Sequence, residues 1–258
     1  MAWISNPKIA GCKPEWARFP GFSLLFDNPG QSYRDAGGMQ HVACDVAGEP
    51  DLGLYKALHD GLHRLDDKSL TSKYGFCPLP PKSYHVTVFD GGNIGNLAKA
   101  KPEYQAALRQ LLEALPDGWS EDHPLVHPAA VNSLTAKGKP EIAFRFGELK
   151  LWGGEVMVAR LVAADADSAE ALEQFKAERR TLSATYQEAF GFGAGPNYSP
   201  HVSLGYFATQ AGGELADEKR LEWNELFEAI TEGHVIRFQG VTCYGFTDMA
   251  SFFRTRRS

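Results

Sequence analysis

The chain has 258 residues, 43% hydrophobic and 12% aromatic, with 22% charged residues and a formal net charge of -6. That is enough apolar material for one large core or two packed lobes, while a sheath for long nucleic acid would carry the opposite sign. No apolar run approaches the ~20 residues of a membrane helix, and "MAWISNPKIAGCKPEW" lacks the apolar core of a signal peptide. The cysteines at 12, 44, 77 and 243 have no CxxC spacing and fit free thiols in a reducing cytoplasm.

In chain order, Pro7, Pro14 and Pro20 make residues 1–20 an irregular arm. "FSLLF" (22–26) predicts a strand, "NPGQSYRDAGGMQ" (28–40) a loop and "HVACDVA" (41–47) another strand. Leu54, Leu58, Leu62 and Leu65 recur at helical spacing and predict a helix over 51–65. "KYGFCPLP" (73–80) is strand-like and is stopped by Pro80 and Pro81, "SYHVTVF" (83–89) reads as a strand with a Gly-Gly stop, and 101–116 as an amphipathic helix. Residues 123–134 read as mixed loop and strand. Strands follow at 141–146 and 155–163 around Gly153-Gly154, then a long helix at 167–190 with Asp167 as N-cap and Glu170 completing a capping box. "NYSPHVSLGYF" (197–207) ends in a strand-like run, 216–231 predicts a helix, and 234–246 carries strands. Strands and helices thus interleave in roughly two halves, with no low-complexity segment and no obvious linker.

Two of these strands nearly repeat one another. Ser83-Tyr84-His85-Val86-Thr87-Val88 and Ser199-Pro200-His201-Val202-Ser203-Leu204 both read S-x-H-V-[ST]-[VL]. Alternation along a strand puts His85 and Thr87 on one face and Val86 and Val88 on the other; His201 and Ser203 likewise oppose Val202 and Leu204. The other histidines (41, 59, 63, 123, 127 and 234) lack a hydroxyl residue two positions on. Two imidazoles that titrate near neutrality can act as base and acid. Two hydroxyls can hold the non-bridging oxygens of a phosphate as charge builds on them. Phosphodiester cleavage needs that set, and no metal is required by this logic.

The paired H-x-[ST]-hydrophobic motifs resemble those of the 2H phosphoesterase superfamily, which includes 2′,3′-cyclic phosphodiesterases and 2′-5′ RNA ligase-like proteins. "SPHVSLGYF" looks like the second motif of that family, and "HVTVFDG" resembles a poorly characterised bacterial branch. The resemblance implies an α+β fold spanning 1–258 as a single bilobal domain. Its two pseudo-symmetric lobes would set antiparallel sheets facing a central cleft, with helices outside. It implies a metal-independent phosphodiesterase, cytoplasmic and monomeric, acting on 2′,3′-cyclic phosphates of nucleotides or short RNA ends, or on 2′-5′ or cyclic oligonucleotide linkages. His85 and His201 would be catalytic, with the second as base and the first as acid, and Thr87 and Ser203 would hold the phosphate. Ser203 stands where the family more usually has Thr. The spacing between motifs is longer than in compact members, which marks 117–160 as an added segment bearing on substrate choice.

Tyr206 and Phe76 are candidate base-stacking residues. Alternation assigns Tyr206 to the Val202 face unless Gly205 introduces a bulge. Arg145 and Arg160 are candidate phosphate contacts that an exposed strand face explains as well. A rival site is "HDGLH" (59–63), close to H-E-x-x-H, where His59 and His63 on one helix face would serve a zinc-dependent hydrolase. Against it, Asp60 is a methylene shorter than Glu, Gly61 weakens the helix and no third ligand is evident. A non-catalytic nucleotide- or RNA-binding protein is a further alternative, although binding alone does not call for two acid/base groups.

Overall fold

The computed structural model describes residues 4–11, 15–65, 67–135 and 141–256; Cys12 lies outside these. A small pair, β1 (Ile9–Gly11) and β2 (Glu15–Trp16), gives the N-terminal arm regular structure. Next come β3 (Gly21–Phe26), β4 (Tyr33–Ala36), β5 (Met39–Val42), α1 (Gly53–Arg64), α2 (Asp67–Tyr74), β6 (Phe76–Pro78), β7 (Thr87–Asn93), α3 (Pro102–Ala114) and α4 (His127–Ala130). The remainder is β8 (Ile142–Trp152), β9 (Val156–Ala163), α5 (Ala166–Phe190), β10 (His201–Phe207), α6 (Gln210–Asp217), α7 (Arg220–Thr231), β11 (Ile236–Phe238), β12 (Val241–Asp248) and β13 (Ser251–Thr255).

Two antiparallel sheets carry the α+β fold. One is six-stranded, in the order β4-β5-β13-β12-β3-β7, and the other five-stranded, in the order β11-β8-β9-β10-β6. The first repeat segment runs into β7 and the second into β10, so each sheet carries one motif. Phe26 of β3 joins the sheets. Its ring stacks on Phe238 of β11 at 5.0 Å and meets Phe144 of β8 and Phe175 of α5 edge-on at 5.7 and 5.2 Å. Such aromatic contacts add roughly 0.5–1.5 kcal/mol each beyond area burial. Among the described residues no helix is long and apolar enough to cross a membrane. Cys44, Cys77 and Cys243 are buried free thiols.

Several elements differ from their sequence expectations. The loop expected over 28–40 contains β4, and β13 was not expected. Residues 123–134 contain α4 and no strand; Pro124 and Pro128 remove donors that a ladder needs. The helix expected over 216–231 is two helices that part at Glu218-Lys219, with α6 starting earlier on the Thr209 N-cap. The long helix is capped by Asp165, not Asp167: its carboxylate accepts from the Ser168 N–H at 2.8 Å while residue 167 is already helical. Gly153 and Gly154 both take positive φ, 60° and 67°, in the three-residue turn between the paired Trp152 and Val156; glycine adopts that region without steric cost.

Candidate active site

The first motif begins outside its strand. Pro81–Ser83 form a turn of 3-10 helix, His85 lies in the extended connector after it, and β7 starts at Thr87. The second motif is strand from its histidine onward. Burial follows the alternation expected from sequence. Val86, Val88, Val202 and Leu204 are fully buried, whereas His85, Thr87, His201 and Ser203 are half-buried.

Both histidines are held in the same way. The Nδ1 atom of His85 lies 2.8 Å from the Ser83 carbonyl, and that of His201 lies 2.9 Å from the Ser199 carbonyl. A carbonyl only accepts, so in each ring the proton sits on Nδ1 and Nε2 keeps a lone pair. The hydroxyls of Thr87 and Ser203 have no hydrogen-bond partner among the described residues, which leaves them available to a ligand.

Burial shifts both rings toward the neutral form. It pushes His85 down to about 4, helped by the charge of a protonated His201 and opposed by the bond to Ser83. His201 is also lowered by burial; the bond to Ser199 and the carboxylate of Asp90 act the other way, and Lys8 reinforces the lowering. His85 feels the charge of a protonated His201, and only His201 has an acidic neighbour, Asp90, that favours its protonated form.

A buried clamp ties the motifs together. β7 is an edge strand, and its pairing with β3 slips from Leu25–Thr87 to Leu24–Phe89, a bulge at Val88. Two consecutive carbonyls there are bonded from outside the sheet. The Tyr198 hydroxyl donates to Thr87 O at 3.0 Å, and Arg179 Nε of α5 donates to Val88 O at 2.8 Å. Arg179 also donates to Gly195 O at 2.6 Å and sits 5.1 Å over the Tyr198 ring. Tyr198 lies three residues before His201 and Thr87 two after His85, so one side chain spans the two motifs.

Aromatic rings flank the pair. Trp152, at the end of β8 and 37% exposed, meets His201 edge-on at 4.5 Å, and Phe252 of β13 lies 4.1 Å from His85. Arg160 stands opposite His201 in the ladder and is held by Glu148 at 2.6 Å, which also binds Lys150 at 2.8 Å. Arg145 is exposed on a surface cavity with Glu225 and Glu228 and takes no part here.

The two stacking candidates are corrected. Pairing of β10 with β9 slips between Ser203 and Gly205, so Tyr206 stands opposite Val156, and Ser203 opposite Val158. Tyr206 therefore does share the face of His201 and Ser203. It is nonetheless only 6% exposed, with Trp16 at 5.9 Å, Lys8 over its ring at 4.8 Å and its hydroxyl bonded to Met249 Sδ at 3.3 Å. The N-terminal arm thus covers it. Phe76 is fully buried against Phe207 at 5.1 Å, and its ring fills the space beside Gly205 where a Cβ would fall. Neither presents a face to a base.

In the rival segment the Asp60 carboxylate is paired with Lys56 Nζ at 2.6 Å on the exposed face of α1. Arg179, Tyr198, Asp90, Trp152 and Phe252 were not singled out from sequence. Tyr198 lies inside "NYSPHVS" and Asp90 inside "HVTVFDG", but no spacing rule marks either, and the other three reach the site only through folding. A cavity of about 700 Å³ lies elsewhere, lined by Asp27, Tyr33, Arg237 and Arg254 among others. It contains neither histidine of the pair, and their geometry, not cavity size, carries the assignment.

No protein-family model matches the chain, and no curated protein matches it either. Among solved structures it is similar to a conserved protein of unknown function from Agrobacterium tumefaciens, with TM-score 0.52 and 16% identity over 95% of this chain and 88% of that one. It is also similar to Usb1 of Kluyveromyces marxianus, with TM-score 0.38 and 11% identity over 93% and 98%. The structure of that Usb1 with uridine monophosphate matches at TM-score 0.38 and 11% identity over 92% and 98%. The first of these likenesses extends to the fold.

Proposed function

We propose that the chain is a phosphodiesterase that opens 2′,3′-cyclic phosphates of nucleotides or short RNA ends by two-histidine acid/base catalysis. The observation that carries this reading is the matched pair of histidines, each with Nδ1 on the backbone carbonyl two residues before it, Nε2 unprotonated, and an unbonded hydroxyl two residues on. Thr87 and Ser203 would donate to the non-bridging oxygens. One imidazole takes the proton of the attacking water as its oxygen bonds to phosphorus. The other, protonated beforehand, gives its proton to the departing ribose oxygen as the P–O bond breaks. The product is a phosphomonoester and a free hydroxyl.

The electrostatics favour His85 as the base and His201 as the acid, because Asp90 supports a proton only on the latter. This reverses the order implied by family resemblance. Trp152, 37% exposed with its ring centroid 4.5 Å from that of His201, is the aromatic available to stack on a base. In this scheme no metal takes part.

The test is hydrolysis of the four nucleoside 2′,3′-cyclic monophosphates in EDTA. His85→Ala and His201→Ala should each lower kcat by about 100-fold or more, the range of general acid–base catalysis. Wild-type turnover abolished by EDTA would refute the metal-free scheme. Tight nucleotide binding without turnover would favour the binding-protein alternative.

A further inference from the structure

The N-terminal arm brings a lysine to the histidine pair. Asn6 is buried, and its side-chain amide donates to Phe207 O at 3.0 Å and to Glu155 O at 3.3 Å. The Ser5 and Asn6 N–H groups donate to Ala208 O at 2.9 and 3.2 Å, so the arm is fastened to the end of β10. The Lys8 N–H donates to Asn6 Oδ1 at 3.1 Å and the Lys8 carbonyl accepts from the Ala17 N–H at 3.0 Å, which fixes this residue's backbone on both sides. On the face that carries His201, the rows of the five-stranded sheet run Glu148–Arg160–His201, Lys150–Val158–Ser203 and Trp152–Val156–Tyr206. Tyr206 is thus one row from Ser203, roughly 7 Å along the sheet. The Lys8 ammonium group stands 4.8 Å over the Tyr206 ring and 5.4 Å over that of Phe19. We infer that Lys8 is the cationic contact for the non-bridging phosphate oxygens of the substrate, on the Ser203 side of the site.

The role rests on the phosphodiesterase reading and supplies what the two motifs lack. A 2′,3′-cyclic phosphate carries one negative charge, and attack by water adds charge to its non-bridging oxygens. Thr87 and Ser203 offer hydrogen bonds to those oxygens but no positive charge. Arg160 and Lys150, in the rows of His201 and Ser203, share the Glu148 carboxylate. Lys8 has no carboxylate partner among the described residues, and its half-buried charge rests on ring faces alone. An ammonium group placed in advance beside the growing charge stabilises the transition state without reorganisation. The groups that face the His201 ring are Lys8 of the arm, Asp90 of β7, His85, and the Arg160–Glu148 pair of β9 and β8. Among them Lys8 disfavours the proton on His201. A phosphate bound at Lys8 offsets that charge, so substrate binding itself favours the proton that His201 gives up. The arm is then a third contributor to the site, beside the two motif segments.

Lys8→Met keeps the length of the side chain and removes its charge. Two measurements on the full chain separate this inference from the reading beneath it: calorimetric binding of the four nucleoside 2′-monophosphates, and hydrolysis of the matching 2′,3′-cyclic monophosphates across pH. Lys8→Met should weaken monophosphate binding about tenfold or more, the worth of a charged hydrogen bond. At the pH of maximum activity it should lower kcat/KM by at least the same factor, and Lys8→Arg should restore most of both losses. The alkaline limb of the kcat/KM profile should move to higher pH in Lys8→Met, since the lysine no longer lowers His201; an unmoved limb overturns the link to that ring. Equal monophosphate affinity and equal kcat/KM in wild type and Lys8→Met overturn the inference while leaving the phosphodiesterase intact. Lys8-dependent binding with no turnover of any cyclic substrate retires the phosphodiesterase and keeps the phosphate contact. Neither binding nor turnover by wild type overturns both.

Discussion

At the scale of single residues, the site works by disfavouring charge. Burial keeps both imidazoles neutral, and the general acid of the proposed reaction would carry its proton against that tendency. A lowered His201 loses its proton below 6.5, while His85, held down to about 4, stays a competent base well into acid. The expected kcat/KM profile is therefore bell-shaped, with its maximum between pH 4 and 6.5 and a fall on the alkaline side that reports His201. Asp90 opposes the lowering of His201, so Asp90→Asn should move the alkaline limb to lower pH and reduce kcat/KM at pH 7 severalfold. A limb that stays in place would remove Asp90 from the account.

At the scale of elements, the bulged edge of β7 matters most. An edge strand exposes backbone groups that must be satisfied. Here Tyr198 and Arg179 satisfy the Thr87 and Val88 carbonyls and thereby set the second motif against the first. Tyr198→Phe keeps the ring under Arg179 and deletes one hydrogen bond, worth about 1 kcal/mol of stability. Its larger effect should be on alignment. Small displacements of reacting groups are expensive, so kcat should fall about tenfold or more with KM little changed, while the folded far-UV signal persists. An unchanged kcat would show that the hydroxyl only satisfies the edge.

At the scale of the whole molecule, two buried charge arrangements govern stability. Asp27, just after β3, meets Arg254 of β13 across β12, where Thr242 and Tyr244 bond the same carboxylate at 2.8 and 2.7 Å. Arg254 is 7% exposed at its side chain and lies over the Tyr33 ring at 4.2 Å. Asp27→Ala leaves that guanidinium buried without its counter-charge and should cost about 3 kcal/mol or more in urea unfolding. The second arrangement is pH-linked. The unfolded chain protonates His85 near 6.5, the folded chain only near 4, so the unfolded state binds more protons in between. Stability should fall as pH drops from 6.5 to 4 and level off below. The contribution is at most about 3 kcal/mol, less because the ring is half-buried. His85→Gln should flatten that part of the urea-midpoint curve, and an identical slope in both proteins would refute it.

The paired S-x-H-V-[ST] segments were legible in sequence because side-chain alternation is a local property. His85, Thr87, His201 and Ser203 share exposure, and their apolar neighbours are buried, as two-residue periodicity requires. The helices over 53–64, 102–114 and 166–190 were legible for the same reason, as their apolar faces repeat within a few residues. What the sequence could not decide is what stands beside what. Arg179, Trp152 and Phe252 lie on three stretches outside both motifs, and only strand pairing and helix docking bring them to the histidines. Tyr206 illustrates the limit from the other side. A one-residue slip turned it toward the site, as a bulge at Gly205 allows, yet the N-terminal arm then covered it. Local periodicity determines which face a residue takes; burial of apolar surface between distant segments determines whether that face meets solvent, substrate or another part of the chain.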